Sequence, residues 1–461
     1  MNRLKSLKKN TIFSIAEVVL NGIGLFFIYK NVVSSLGVKM LGVWSLVLAT
    51  TAFGRLADVG ISAGLARFVA RELAKDNPDA VTTYVQTAMI SVAGIMGILT
   101  LIAYWPIYFA LKIALSGSEL ELARSIIPFA LLTFWMLNLN SVTAASLLGL
   151  HRADLRSISN IFGMLVQVAT SLVLVKSFQL MGLAWAQTAQ YVVAISISWF
   201  FITRVHRAMP IVPLEFSRPV FKELLGFGTK LQIGTIANLL FEPTTKIIIG
   251  HIGGTAVLGV FELAYRMVYQ VRGIAVTALQ NLVPAFANLK ETDSSGLTVL
   301  FKKTCKVAAI LSAPIMCAVT VGSPIIAIVW TGHYNPLFVE FSALLALTWT
   351  VNILAAPAYF LGLGTGSINM NVIGQVVTGF ISPILGFTIG LFFGGVGAVI
   401  GVSLGKVIGD LIPAFANRPE KHFTSSALLY KPNLVAIATV AGVCSIVYAL
   451  AAKIDVSQIK F

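Results

Sequence analysis

The sequence predicts an all-α integral membrane protein made of two parallel six-helix repeat bundles, with an extra C-terminal helix. Three observations predict it: a scarcity of charge, thirteen apolar runs of spanning length, and a repeat between the two halves of the chain. Of 461 residues, 57% are hydrophobic and only 11% charged, and the mean hydropathy is +0.88. Soluble domains carry about 25% charged residues because their surface faces water. This chain has too few charges for that, so its exterior must face lipid.

A transmembrane helix needs about 20 largely apolar residues. Such runs fall at 11–33, 41–66, 82–111, 124–150, 154–176 and 180–204. A hydrophilic connector, RVHRAMPIVPLEFSRPVFKEL, follows and is broken by Pro210, Pro213 and Pro219. Further runs lie at 224–250, 256–288, 299–330, 336–362, 369–394 and 396–416, with a thirteenth at 433–452. The expected organisation is therefore an N-terminal six-helix bundle (1–205), a connector (206–223), a C-terminal six-helix bundle (224–417) and a basic tail carrying the last span (418–461). The first run follows Arg3, Lys5, Lys8 and Lys9 but contains Glu17 and Asn21 and lacks a short apolar core with a small-residue cleavage site. It reads as a retained span rather than a signal peptide.

Lys and Arg number 33 against 18 Asp and Glu, a net charge of +15. With the N-terminus inside, inner and outer segments hold 20 and 7 of the cations, which favours a cytoplasmic N-terminus. The short loops carry no nucleic-acid-binding pattern, so nucleic acid is not expected as a partner. Cys305, Cys317 and Cys444 have neither pairing nor metal-ligand spacing, and they read as small buried apolar residues.

The repeat is visible as LGVKMLGVW (36–44) against GGTAVLGVF (253–261), an offset of 217. That register places Asn21 on Asn238 and Arg55 on Arg272; later, LLGLHR (147–152) faces FLGLGT (360–365) and Gly182 faces Gly397. Six spans per half make the repeats parallel, with a substrate site expected near the midplane between them.

Polar side chains inside the spans carry the functional reading, since charges at mid-bilayer are costly and usually face a cavity or a partner. They recur at helical spacing: Ser14, Glu17 and Asn21; Thr51, Arg55, Asp58 and Ser62; Lys230, Asn238, Glu242 and Lys246; Glu262, Arg266, Tyr269 and Arg272. Asn21, Asn238 and Tyr269 would line the cavity. Its cations exceed its carboxylates by only 5 to 4, a slight preference for an anionic substrate. Arg55–Asp58, Glu242–Lys246, Glu262–Arg266 and Lys406–Asp410 could equally be local ion pairs that ease insertion. Glu17 and Arg272 have no such local partner. Glu17, Asp58, Glu242 and Glu262 are candidates for ion coupling, Glu17 first because no cation neighbours it in sequence. Pro243 is expected either to break the seventh span or to mark an ordinary packing kink. Gly-rich stretches at 361–367 and 392–401 read as short loops and close helix contacts. No phosphate-binding loop of the G-x-x-x-x-G-K-[ST] type occurs, the five histidines are scattered, and neither cofactor, metal site nor enzyme activity is expected.

The run LADVGISAGLARFVARELA (56–74), the LLGLHR end of the fourth span and the two six-span halves resemble Wzx-type polysaccharide flippases of the multidrug/oligosaccharidyl-lipid/polysaccharide exporter superfamily, with a MATE-like fold. The resemblance covers residues 1–416. It implies a flippase of the bacterial inner membrane that carries undecaprenyl-pyrophosphate-linked oligosaccharide units by alternating access. Arg55, Lys246, Arg266 and Arg272 would then be anion contacts in a cationic cleft. Implied partners are the lipid-linked oligosaccharide, membrane lipids, and a glycan polymerase or other assembly proteins. The alternatives are an ion-coupled drug or metabolite antiporter, a lipid II flippase, and a scaffold that transports nothing.

Overall fold

The computed structural model describes residues 2–52, 61–232, 236–280, 282–419 and 426–451. Among them there are thirteen helices and no strand. They are α1 (Asn2–Leu36), α2 (Val38–Ala52), α3 (Ile61–Ala74), α4 (Pro78–Ala114), α5 (Gly117–Gly149), α6 (Ala153–Val205), α7 (Arg218–Gln232), α8 (Ile236–Gln280), α9 (Val283–Thr292), α10 (Ser294–Thr331), α11 (Pro336–Thr365), α12 (Asn369–Ala416) and α13 (Lys431–Ala451).

Three of these are too long for a single crossing. The helices α6, α8 and α12 run for 53, 45 and 48 residues and reverse at Gln179, Gly254 and Gly394, where the backbone leaves the helical region. Each is two spans joined by a one-residue turn, at the places where the apolar runs of the sequence meet. Of the two outcomes expected at Pro243, the break is not there: α8 continues through that residue. A proline removes one backbone bond, but neighbouring helices in a membrane protein can satisfy the freed carbonyl, so the helix need not end. The last span, α13, packs on α10 and α11 and stands outside the repeat.

Positive backbone φ angles trace the repeat independently of side-chain identity. Gly37 and Gly254 have φ of 84° and 75°, Gly117 and Gly332 55° and 78°, His151 and Gly366 59° and 75°, and Gln179 and Gly394 51° and 63°. The first pair is 217 residues apart and the other three 215. The same four reversals of chain direction are therefore built twice; the offset of 215 agrees with Gly182 facing Gly397 but moves LLGLHR (147–152) two residues from its sequence alignment with FLGLGT (360–365).

By contacts the chain forms two compact units, Met1–Leu36 with Leu46–Leu239, and Gly37–Ser45 with Leu240–Phe461. In the first, α5 packs between α4 and α6, α1 lies on α6, and α3 closes on α4 and α5. In the second, α11 is central, contacting α9, α10, α12 and α13. Glycine sets the closest approaches. A Cβ on Gly401 would come within 2.2 Å of the Leu385 carbonyl oxygen, and one on Gly253 within 2.9 Å of the Gly395 Cα. The Gly-rich stretches are contact surfaces and turns, as the sequence suggested.

Candidate functional site

Four charged residues of the second unit form a closed ring on α8. Lys246 is buried, its Nζ 2.8 Å from both Glu242 Oε1 and Glu262 Oε2. Arg266 completes the ring, its Nε 2.6 Å from Glu262 Oε1 and one terminal nitrogen 3.1 Å from Glu242 Oε1. The Ser45 hydroxyl donates to Glu262 Oε2 at 2.8 Å. The helical spacing i, i+4 makes Glu242–Lys246 and Glu262–Arg266 local pairs, and the turn at Gly254 folds the two halves of α8 so that the pairs cross-link. Two cations meet two carboxylates, and the ring is neutral.

A second network has a surplus positive charge. Arg272 Nε donates to Asn352 Oδ1 at 2.7 Å, Asn352 Nδ2 donates to Asp410 Oδ2 at 2.9 Å, and Lys406 Nζ lies 2.5 Å from Asp410 Oδ1. The Arg272 guanidinium sits 4.8 Å from the Trp349 ring centre and 5.4 Å from that of Tyr269, and the Lys406 ammonium is 5.4 Å from Trp349. Tyr269 stacks on Tyr265 with ring centres 5.5 Å apart. Phe241, Phe261, Tyr265, Trp349, Ser403 and Lys406 line a small cavity beside these rings. Arg272 is partly exposed, and no carboxylate pairs with it among the described residues. Two cations here share one carboxylate.

The first unit holds a third charged group. Glu17 is buried on α1 and accepts from an Arg156 terminal nitrogen at 2.9 Å and from Asn160 Nδ2 at 2.7 Å. The carboxylate that had no cation near it in sequence thus receives one from 139 residues away. Arg156 and Asn160 are one turn apart on α6, and their equivalents at the 215-residue offset are Asn371 and Gln375. There Gln375 donates to the Tyr359 hydroxyl at 2.8 Å. One half has an ionic group where the other has a neutral one.

Of the expected site residues, Arg55 and Asp58 lie outside the described residues, as do the side chains of Ser14, Thr51, Lys230 and Asn238. Asn21 is partly buried on α1. Lys246, Arg266, Glu242 and Glu262 come together, and Tyr269 and Arg272 come together in the second network. Asn352, Trp349, Lys406 and Asp410 join that network although only the Lys406–Asp410 spacing marked it in sequence. Arg156 and Asn160 had no sequence signal beyond being polar residues in a span.

A fourth cluster lies outside the spans, where α3 meets the connector. Arg71 Nε is 2.6 Å from Glu72 Oε1, and its terminal nitrogens reach Glu223 Oε1 at 3.0 Å and the Tyr84 hydroxyl at 2.8 Å. Tyr84 donates to Glu223 Oε2, and Lys75 Nζ lies 3.1 Å from Glu72. Hydrogen bonds from Lys75 and then Arg71 hold the Glu72 carboxyl below its ordinary value. Burial pushes Glu223 upward, yet hydrogen bonds from Tyr84 and Arg71 outweigh it and the net shift is downward. The Arg71 guanidinium, bonded to Glu223, is held firmly protonated.

With this fold and these polar networks, the class is that of a multi-pass helical membrane protein. The chain belongs to the family described as polysaccharide biosynthesis protein, whose profile matches residues 35–339. No curated protein sequence matches it. Among solved structures it is similar to an inward-facing multidrug resistance MATE family transporter of the MOP superfamily, at 15% identity and a TM-score of 0.73, over 94% of this chain and 99% of that one. It is also similar to the lipid II flippase MurJ in its inward closed conformation, at 11% identity and a TM-score of 0.69, over 96% and 97% of the two chains. An outward-facing MATE transporter matches at 15% identity and a TM-score of 0.60, over 94% and 96%. At such identities the likeness establishes the fold. The resemblance read from the sequence holds at the level of family and superfamily fold.

Proposed function

We propose that this protein is a flippase that moves undecaprenyl-pyrophosphate-linked oligosaccharide units across the bacterial inner membrane by alternating access, with its N-terminus in the cytoplasm. The observation that carries this reading is the state of Arg272. Lys246 and Arg266 spend their charge on Glu242 and Glu262, whereas Arg272 is held by a neutral amide and two aromatic faces. That arrangement fixes the guanidinium without neutralising it. A planar guanidinium donates two parallel hydrogen bonds to phosphate, which suits it to the pyrophosphate of a lipid-linked glycan. The family supports the substrate class, since a polysaccharide pathway that assembles units on a lipid carrier needs their polar end moved across the bilayer. MurJ, similar in fold, is a flippase for lipid II.

A drug or metabolite antiporter is the second reading, and the aromatic wall of Tyr265, Tyr269 and Trp349 favours it. The geometry weighs against it for cationic drugs, because the Trp349 and Tyr269 rings already lie against the protein's own cations. In the first reading, Arg55 is a further anion contact, Lys246 and Arg266 become contacts only where a phosphate displaces the half-exposed Glu242 from the ring, and Asn21 and Asn238 line the path. Glu17, Asp58, Glu242 and Glu262 remain the coupling candidates. The ring around Lys246 gives Glu242 and Glu262 a structural part as well, while the Arg156 contact gives Glu17 a cation to exchange for a proton or metal ion.

The test is translocation of an authentic lipid-linked oligosaccharide in proteoliposomes, comparing wild type, Arg272→Ala and Arg272→Lys. The expected result is transport by wild type, loss with alanine, and partial activity with lysine, which keeps the charge but not the planar fork. Equal transport by all three, or transport of a cationic drug alone, overturns the reading.

A further inference from the structure

The connector between α6 and α7 carries an exposed apolar row. Ile211, Val212, Leu214 and Phe216 are 83%, 57%, 81% and 49% exposed, within eight residues that adopt no helix. An exposed apolar segment in a membrane protein is unremarkable if it lies on a span, but this one is not helical. Four of its backbone polar groups are paired with side chains of the first unit. The Trp199 indole donates to the Ile211 carbonyl at 2.7 Å, the Gln86 side-chain oxygen accepts from the backbone amides of Leu214 and Glu215 at 2.9 and 3.0 Å, and Thr87 Oγ1 accepts from the Ser217 amide at 3.1 Å. Backbone that reaches the hydrocarbon must have its polar groups paired, and at the headgroup boundary water serves the rest.

The anchors also fix its depth. Trp199 lies six residues before the end of α6, and Gln86 eight residues past the start of α4. At 1.5 Å per residue the segment has doubled back about 9 to 12 Å along its own helices. It is clamped at both ends: Met209 and Leu224 are buried in the core of the first unit, with Val220 and Phe221 packed against it.

The charges of the segment differ in their partners. Both acids are tied to the protein, Glu215 by Thr83 at 3.0 Å and Gln86, and Glu223 by Arg71 and Tyr84. Arg207, Arg218 and Lys222 are exposed, and none has an ionic partner among the described residues. An apolar row flanked by cations without ionic partners, with the acids held in hydrogen bonds to the protein, matches the boundary between acyl chains and anionic headgroups. Cations at such a surface are attracted to anionic lipid headgroups.

We propose that residues 207–222 form an in-plane anchor for anionic lipid, with Ile211, Leu214 and Phe216 inserted at the headgroup boundary and Arg207, Arg218 and Lys222 binding lipid phosphates. With the orientation expected from the Lys and Arg bias, the lipid belongs to the cytoplasmic leaflet. The anchor ties the joint between the two repeat halves to the membrane surface, separately from the substrate contacts at Arg272.

The experiment places an environment-sensitive fluorophore on Leu214→Cys in the full chain, with Cys317→Ala to remove the one native thiol that is not buried. The protein is reconstituted in nanodiscs of phosphatidylcholine alone or with phosphatidylglycerol. The expected result is blue-shifted emission in the anionic discs, with quenching by headgroup-level nitroxide lipid and a severalfold loss of quenching by aqueous iodide. The triple variant Arg207→Gln, Arg218→Gln, Lys222→Gln returns the probe toward water, while a probe on Asp76→Cys stays iodide-accessible throughout. Iodide access at position 214 in both discs overturns the proposal, and protection that then appears only in native membranes assigns the surface to a protein partner. Equal protection in both lipids, unchanged by the triple variant, overturns the anionic recognition. None of these readings depends on translocation.

Discussion

Ser45 donates a hydrogen bond to Glu262, and the two residues are 217 apart, the offset of the internal repeat itself. Equivalent positions of the two halves therefore meet in the second unit. The same symmetry governs the backbone beside them. A Cβ on Gly42 would stand 1.9 Å from the Thr255 carbonyl oxygen, and one on Gly259 2.0 Å from that of Val38. Gly42 and Gly259 are equivalent, and so are Val38 and Thr255. The crossing of α2 over the second half of α8 is thus one contact made twice.

Filling that crossing is expected to destabilise the protein. Gly42→Ala or Gly259→Ala must push the two helices apart, at an overpacking cost of about 1 to 3 kcal/mol each. Since one displacement relieves both clashes, the double variant should cost less than the sum of the single variants. Thermal melts in detergent by size exclusion check this; strict additivity would show that the two glycines are not coupled.

The ring on α8 makes a second prediction. Lys246→Met leaves Glu242 and Glu262 facing each other with only Arg266 to offset them, and Glu262 is buried. Removing one partner of a buried ion pair costs about 3 to 5 kcal/mol. Adding Glu262→Gln to Lys246→Met restores charge balance and should recover much of the loss. If the double variant melts lower than Lys246→Met alone, the ring is not the source of the effect.

Much of this architecture was legible in the sequence, because lipid imposes length and hydropathy on each span directly. The turns at Gln179, Gly254 and Gly394 fall between apolar runs, and the i, i+4 pairs on α8 follow from helix geometry. Pro243 left a break and a packing kink open, since a proline alone does not tell whether neighbouring helices will satisfy the freed backbone. The partners of Glu17 and Arg272 were not legible. Arg156 and Asn352 are 139 and 80 residues distant from them, and no local periodicity reports which faces of two spans will meet.

The cluster at Arg71 sets a pH dependence. Glu72 and Glu223 both have lowered values in the folded protein. Their contribution is therefore fully present above the unfolded value, 4.5, and is lost as the pH falls through the lower folded values. The docking of α7 on α3 should hold at pH 7 and loosen on acidification below about 4.5. Hydrogen exchange across 218–224 measures it. Arg71→Gln should produce the loosened pattern already at neutral pH, and a flat pH response would remove the cluster from the account.

The last prediction uses the repeat to read strain. Gln179 has φ 51° and ψ −134°, and its equivalent Gly394 has φ 63° and ψ −151°. The two turns have the same shape, but only one has the residue that adopts it freely. A side chain in this region costs about 1 to 3 kcal/mol, while glycine is there without steric penalty although it gives more entropy to the unfolded chain. Gln179 is exposed, so replacing it removes little packing. Gln179→Gly is expected to raise the melting temperature, and Gly394→Gln to lower it, by amounts that reflect the same strain with opposite sign. Parallel melts of the two variants decide the matter. If both lower stability, Gln179 makes a contact that outweighs its backbone, and the turn is held by its side chain.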